Sequence, residues 1–249
     1  ISLDNIEKYS ILYSLNNGDI KMKLKKLLLT LIVLILLLPY QQINAESESP
    51  DITAGAALLM DSKTSKILYS KNENEKMYPA STTKIMTAIL TIENCNLDDI
   101  VTVPYDAIAT IPSGYSIAAL QTGEQLTVNQ LLQLMMVHSA NDAANVLAFH
   151  VAGSIESFAT MMNTKVAELG LEHTHFLNPS GMHNEDHYTT AYDLAKLMQY
   201  CMKNSTFRTI AGLKFCTVPA TNKYGERIFT STNELLTLVD NRNVASNYY

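Results

Sequence analysis

Pro79-Ala80-Ser81-Thr82-Thr83-Lys84 runs directly into Ile85-Met86-Thr87-Ala88-Ile89-Leu90, and the apolar residues after the polar segment predict a helix from about Ser81 to Glu93. Residues three apart lie on one helix face, so the Lys84 amine can reach the Ser81 hydroxyl. The first helical turn also carries backbone N–H groups without intrahelical acceptors, which favour a developing oxyanion. A lysine kept partly dry there loses its proton readily and serves as base, and Ser81 becomes an activated nucleophile. Taken alone the pair is a weak signal. Ser-x-x-Lys recurs by chance, and a capping serine followed by a solvated lysine is the plainer reading.

A second element, His138-Ser139-Ala140-Asn141, supplies a context. Thr127-Val128-Asn129-Gln130 before it has the form of a capping box, and Leu131, Leu132, Leu134, Met135 and Met136 give the apolar face of a helix ending near Val137. Another helix is predicted over 142–151. Ser139 and Asn141 therefore fall at a connection between two buried helices, well placed to line a cleft.

Ser-x-x-Lys followed by Ser-x-Asn resembles the penicillin-recognising serine enzymes, whose third element is Lys-Thr-Gly or Lys-Ser-Gly. Within that group the chain most resembles the serine D-alanyl-D-alanine carboxypeptidases, the low-molecular-weight penicillin-binding proteins. The likeness runs from about residue 52 to 240. It is carried by Tyr78 to Lys84, by Ser139-Ala140-Asn141-Asp142-Ala143-Ala144, by Asn178-Pro179-Ser180-Gly181-Met182-His183 and by His187-Tyr188-Thr189-Thr190-Ala191-Tyr192-Asp193-Leu194-Ala195. The resemblance implies that Ser81 attacks the carbonyl between the two D-alanines of a peptidoglycan stem peptide, forms an acyl-enzyme and releases D-alanine. It implies Lys84 as base, Ser139 as proton relay to the leaving amine, and Asn141 as the amide that meets the substrate backbone or Lys84. It implies β-lactam antibiotics as acylating ligands, and neither cofactor nor metal.

The third element is not in this sequence. Lys63-Thr64-Ser65 precedes the nucleophile and lacks the glycine, Lys223-Tyr224-Gly225 lacks the hydroxyl, and Thr232-Asn233-Glu234-Leu235-Leu236 reads as the lead-in to it. The expectation is a chain truncated before that strand, inactive or impaired; the resemblance leaves open membrane association through a C-terminal anchor, which such carboxypeptidases commonly have.

The rest of the chain predicts an α+β fold. Runs over 54–60 and 66–69, parted by Asp61 to Ser65, signal a hairpin, helices are expected over 155–169 and 190–202, and strands over 215–218 and 227–230. A helical middle between strand-forming ends predicts an antiparallel sheet flanked by a mostly helical subdomain. The resemblance makes this β-lactamase/transpeptidase-like and C-terminally incomplete.

Met22-Lys23-Leu24-Lys25-Lys26, the apolar run Leu27 to Leu38 and Ile43-Asn44-Ala45 read as a signal peptide over 22–45, which places the product outside the cytoplasmic membrane, in the cell wall or periplasm. Pro39 closes the run short of the ~20 apolar residues that a spanning helix needs. Residues 1–21 are read as upstream translated sequence, and 46–249 as a partial peptidase domain. That part carries 13 Lys+Arg against 21 Asp+Glu, a net charge of −8, with no basic run, which argues against nucleic acid as partner. Cys95, Cys201 and Cys216 are widely spaced, with no Cys-x-x-Cys, and read as buried or free thiols; their spacing predicts no disulfide pairing.

Three competing readings come from the same residues. A β-lactamase would deacylate through Glu168 or Glu172, although Ser-Ala-Asn stands where class A enzymes carry Ser-Asp-Asn. A metal site would draw on His173, His175, His183, His187 and Asp186. A cell-wall peptide-binding module would use the cleft without turnover. His138 and His150 are expected to be packed helix residues, and the methionines core filler.

Overall fold

In the computed structural model, residues 20–34, 50 and 52–237 are described. The chain divides into two units, 1–50 and 51–249. In the first, helix α1 spans 20–34 with its side chains exposed. It takes in the basic cluster and the front of the apolar run. Ile35 to Leu38, Pro39 and the cleavage residues Ile43-Asn44-Ala45 lie outside the described residues, as do 1–19 and 238–249. Among the described residues no helix is long and apolar enough to cross a membrane.

The second unit opens with the expected hairpin, β1 (Ala57–Met60) antiparallel to β2 (Ile67–Lys71). Its turn is closed by Asp61, whose carboxylate accepts the Lys63 and Thr64 N–H groups and the Thr64 hydroxyl. After a 3-10 turn, Ala80–Thr83, comes α2 (Lys84–Asn94). The regular helix thus begins at Lys84, and Ser81 sits in the tighter turn before it. β3 (Ile100–Thr102), α3 (Tyr105–Ile108) and β4 (Gln125–Thr127) follow, with β3 and β4 paired antiparallel. Then come α4 (Val128–Val137), α5 (Asn141–Ala152), α6 (Ile155–Leu169), α7 (Ala191–Cys201) and α8 (Ser205–Ala211). β5 (Phe215–Val218) pairs antiparallel with β6 (Arg227–Thr230), and α9 (Glu234–Thr237) closes the described chain.

Helix ends follow their sequence signals. Thr127 and Gln130 form the capping box of α4, Ser154 caps α6, and Thr190 caps α7 by accepting from Asp193 N–H. Gly153 and Gly170 end α5 and α6 in the left-handed conformation. The α+β expectation stands, and among the described residues the antiparallel strands form three separate two-stranded ladders.

α5 is the central helix. Every residue from Asn141 to Ala148 is buried, and α2, α3, α4 and α6 pack around it. Ala143, Ala144 and Ala148 keep its surface narrow enough for that crowding, and Leu131, Met135, Val146, Phe158 and Met162 fill the spaces. His138 is half-buried at the end of α4 with its ring 4.9 Å from that of Phe229, as a packed residue should be. His150 is different. It lies exposed in the last turn of α5 and corrects the expectation of a packed side chain.

Candidate active site

Two left-handed residues shape the site. Ala80 has φ 46° immediately before Ser81, and Ser139 has φ 59° between α4 and α5. Neither is glycine, so each conformation costs energy, on the order of 1–3 kcal/mol, that surrounding contacts must offset. The result is that two hydroxyls from distant parts of the chain meet. Ser139 Oγ donates to Ser81 Oγ at 3.0 Å.

Lys84 comes up from the first turn of α2 on the other side. Its Nζ donates to Ser81 Oγ at 3.1 Å, to Asn141 Oδ1 at 2.6 Å and to the Ser180 carbonyl at 2.8 Å. The side chain is 3% exposed. Burial pulls its pKa from 10.5 down to about 8, against the nearby Asp142 carboxylate, which favours the charged form. The four residues named from sequence, Ser81, Lys84, Ser139 and Asn141, are therefore brought together in one hydrogen-bonded group.

The sequence did not disclose what supports that group. Asp142, buried beside Asn141, accepts N–H groups from Ala118, Leu120 and Ala143, which fixes the 116–120 loop against the start of α5. Ser116 completes the fastening: its carbonyl accepts Asn141 N–H and its hydroxyl donates to the His138 carbonyl. Farther along, wholly buried Glu124 pairs with Arg227 and accepts from Thr221 Oγ1 at 2.9 Å, while Arg227 Nη1 donates to the Ala118 carbonyl at 3.2 Å, tying β6 to the same loop. On the opposite side, the Asn178–Met182 loop supplies the Ser180 carbonyl, and Gly181 packs against the Ala80 carbonyl so closely that a Cβ on it would lie 1.7 Å from that oxygen.

His187 is a structural member of this wall. Its Nδ1 accepts from Leu177 N–H at 3.0 Å, so its Nε2 carries the proton and donates to Thr83 Oγ1 at 2.8 Å. Both ring nitrogens are occupied. Burial and the neighbouring His175 and His183 push its pKa from 6.5 down to about 4. His175 Nδ1 meets the Asp186 carbonyl instead of the carboxylate, and among the described residues no three His, Cys, Asp or Glu side chains are grouped to hold a metal. Glu168 pairs with Lys165 on α6, and Glu172 is exposed; the described hydrogen bonds to Ser81 Oγ come from Lys84 and Ser139. All three cysteines are free thiols, with Cys201 and Cys216 buried.

The sequence profile of the family described as D-alanyl-D-alanine carboxypeptidase matches residues 43–244. The chain belongs to that family. D-alanyl-D-alanine carboxypeptidase DacF of Bacillus subtilis is 36% identical over 199 residues, covering 76% of this chain and 51% of that protein. The corresponding DacC of Escherichia coli is 40% identical over 158 residues, covering 60% of this chain and 40% of its own. The chain thus spans about half the length of the curated carboxypeptidases it matches. Among solved structures, a mutant Streptomyces DD-transpeptidase superposes with a TM-score of 0.70 at 36% identity, over 76% of this chain and 77% of that one. A Mycobacterium tuberculosis D-alanyl-D-alanine carboxypeptidase gives 0.71 at 27% identity, over 79% and 73%. Carboxypeptidase and DD-transpeptidase share this α+β fold with the chain.

Proposed function

We propose that this member of the carboxypeptidase family acts as a serine D,D-carboxypeptidase, removing the terminal D-alanine from peptidoglycan stem peptides through an acyl-enzyme on Ser81, with turnover impaired in the 249-residue chain, which lacks the Lys-Thr-Gly element. Lys84 takes the Ser81 proton as the hydroxyl attacks the carbonyl. Ser139 passes a proton to the departing D-alanine amine, and water then cleaves the acyl-enzyme with the same groups in reverse order. Asn141 orients Lys84 through its carbonyl oxygen, which leaves its NH₂ for the substrate backbone. Penicillin, a strained amide of similar shape, acylates the same serine. In this reading the protein works outside the cytoplasmic membrane, where its substrate lies.

The observation that carries this reading is an amine buried to 3% exposure and placed 3.1 Å from a serine hydroxyl that a second hydroxyl meets at 3.0 Å, a burial that lowers the amine pKa toward 8. A solvated capping lysine has neither the burial nor the partners. The family's activity on D-alanyl-D-alanine supports the choice of substrate. The test is release of D-alanine from a peptide ending in D-alanyl-D-alanine, run beside penicillin hydrolysis. D-alanine release lost in Ser81→Ala is the expected result. Rapid catalytic penicillin turnover without D-alanine release would favour a β-lactamase instead.

A further inference from the structure

Lys84 has three acceptors, and they are not equivalent. As an ammonium it has one proton for each of Asn141 Oδ1, the Ser180 carbonyl and Ser81 Oγ. As the neutral amine it keeps two N–H bonds and one lone pair. The Ser180 carbonyl and Asn141 Oδ1 can only accept, so each holds an N–H. Only the Ser81 hydroxyl can donate, and the lone pair is left facing it. Two acceptor-only oxygens thus aim the base, and removal of either frees the amine to turn its lone pair elsewhere.

One of these oxygens belongs to the backbone, so its position depends on the loop that carries it. Asn178 Oδ1 accepts the N–H groups of Ser180, Gly181 and Met182 at 3.2, 2.8 and 3.0 Å, and Asn178 Nδ2 donates to the Met182 carbonyl at 2.8 Å. One carboxamide therefore closes the whole turn. Thr87 on α2 grips the same turn from below, its hydroxyl donating to the Pro179 carbonyl at 2.6 Å. Ser180 is 2% exposed and Lys84 3%, so the carbonyl and the amine meet away from water.

We propose that Asn178 is a positioning residue for Lys84: by closing the 178–182 turn it sets the Ser180 carbonyl on the amine, excludes water, and directs the lone pair at Ser81. This rests on Lys84 being the base. Besides the dipoles named, the charged group facing the amine is Asp142 on α5, which the variants below leave in place.

The test is an NMR titration of the chain carrying lysine labelled at Cε, with the Lys84 signal assigned by its loss in Lys84→Met. Lys84 of the unaltered chain is expected to titrate near 8. In Asn178→Ala the turn opens, water reaches the amine, and the value rises toward 10.5. Asn178→Ser keeps a hydroxyl able to accept from the turn and falls between the two. Thr87→Val loosens the turn from its other side, shifts Lys84 in the same direction, and decides the matter if Asn178→Ala does not fold. A purely structural role lowers the unfolding midpoint and leaves the Lys84 titration alone. Lys84 near 8 in the unaltered chain, with no upward shift in the folded variants, overturns the role of Asn178 while leaving the base. Lys84 at its ordinary value in the unaltered chain overturns both.

Discussion

In the proposed mechanism Lys84 serves as the base, and burial favours this by removing most of the advantage its charged form has in water. Neutral amine is needed for Ser81 to lose its proton, so acylation should rise with pH through about 8 and level off above it. The same depressed pKa acts on stability: the contribution of the neutral lysine is fully present above 10.5 and is lost as pH falls through about 8. Rates of fluorescent-penicillin acylation across pH check the first statement. A rate independent of pH from 6 to 10 would remove Lys84 from the role. Ser139 is placed to relay the proton onward, and Ser139→Ala should slow acylation by about 10²- to 10³-fold while leaving the fold intact. Far-UV circular dichroism beside the kinetics separates loss of chemistry from loss of structure.

At the scale of elements, the site depends on turns that hold unfavourable backbone angles. Gly181 has φ +85° and no room for a Cβ beneath the Ala80 carbonyl, so Gly181→Ala should destabilise by about 2–4 kcal/mol in urea unfolding and displace the Ser81 turn. Wild-type stability in that variant would show that the two turns are not locked together. His187 braces the same turn through Thr83. Held neutral with a pKa near 4, it contributes stability that is complete above 6.5 and lost as pH falls through about 4. Replacing it by Gln should flatten the pH dependence of unfolding in that window, and unchanged slopes would contradict the assignment.

These supports mark the limit of what the sequence disclosed. α4, α5, α6 and α7 were legible because each spans ten residues or more with apolar periodicity and, in most cases, a cap. β3, β4 and α3 are three or four residues long and too short to show a period. Ser81, Lys84, Ser139 and Asn141 could be named from two short motifs. Asp142, Asn178 and Gly181 stand in stretches that carry the resemblance, but their roles were not legible, because their work is done through backbone groups that come near the site only in the folded chain.

Across the whole molecule, α5 gathers the site. It carries Asn141 and Asp142 at its start, receives α2 with Lys84 on one side, and follows the turn that presents Ser139. A crowded, alanine-rich helix is a rigid base for groups that must stay within a few tenths of an ångström of one another. The central claim is that this assembly makes Ser81, among all the serines of the chain, the acyl acceptor. Prolonged incubation with excess penicillin, followed by proteolysis and peptide mass spectrometry, tests it most directly. The account predicts a single adduct on the peptide containing Ser81, absent in Ser81→Ala and suppressed in Lys84→Ala. An adduct on another residue, or one that persists in Ser81→Ala, would contradict it.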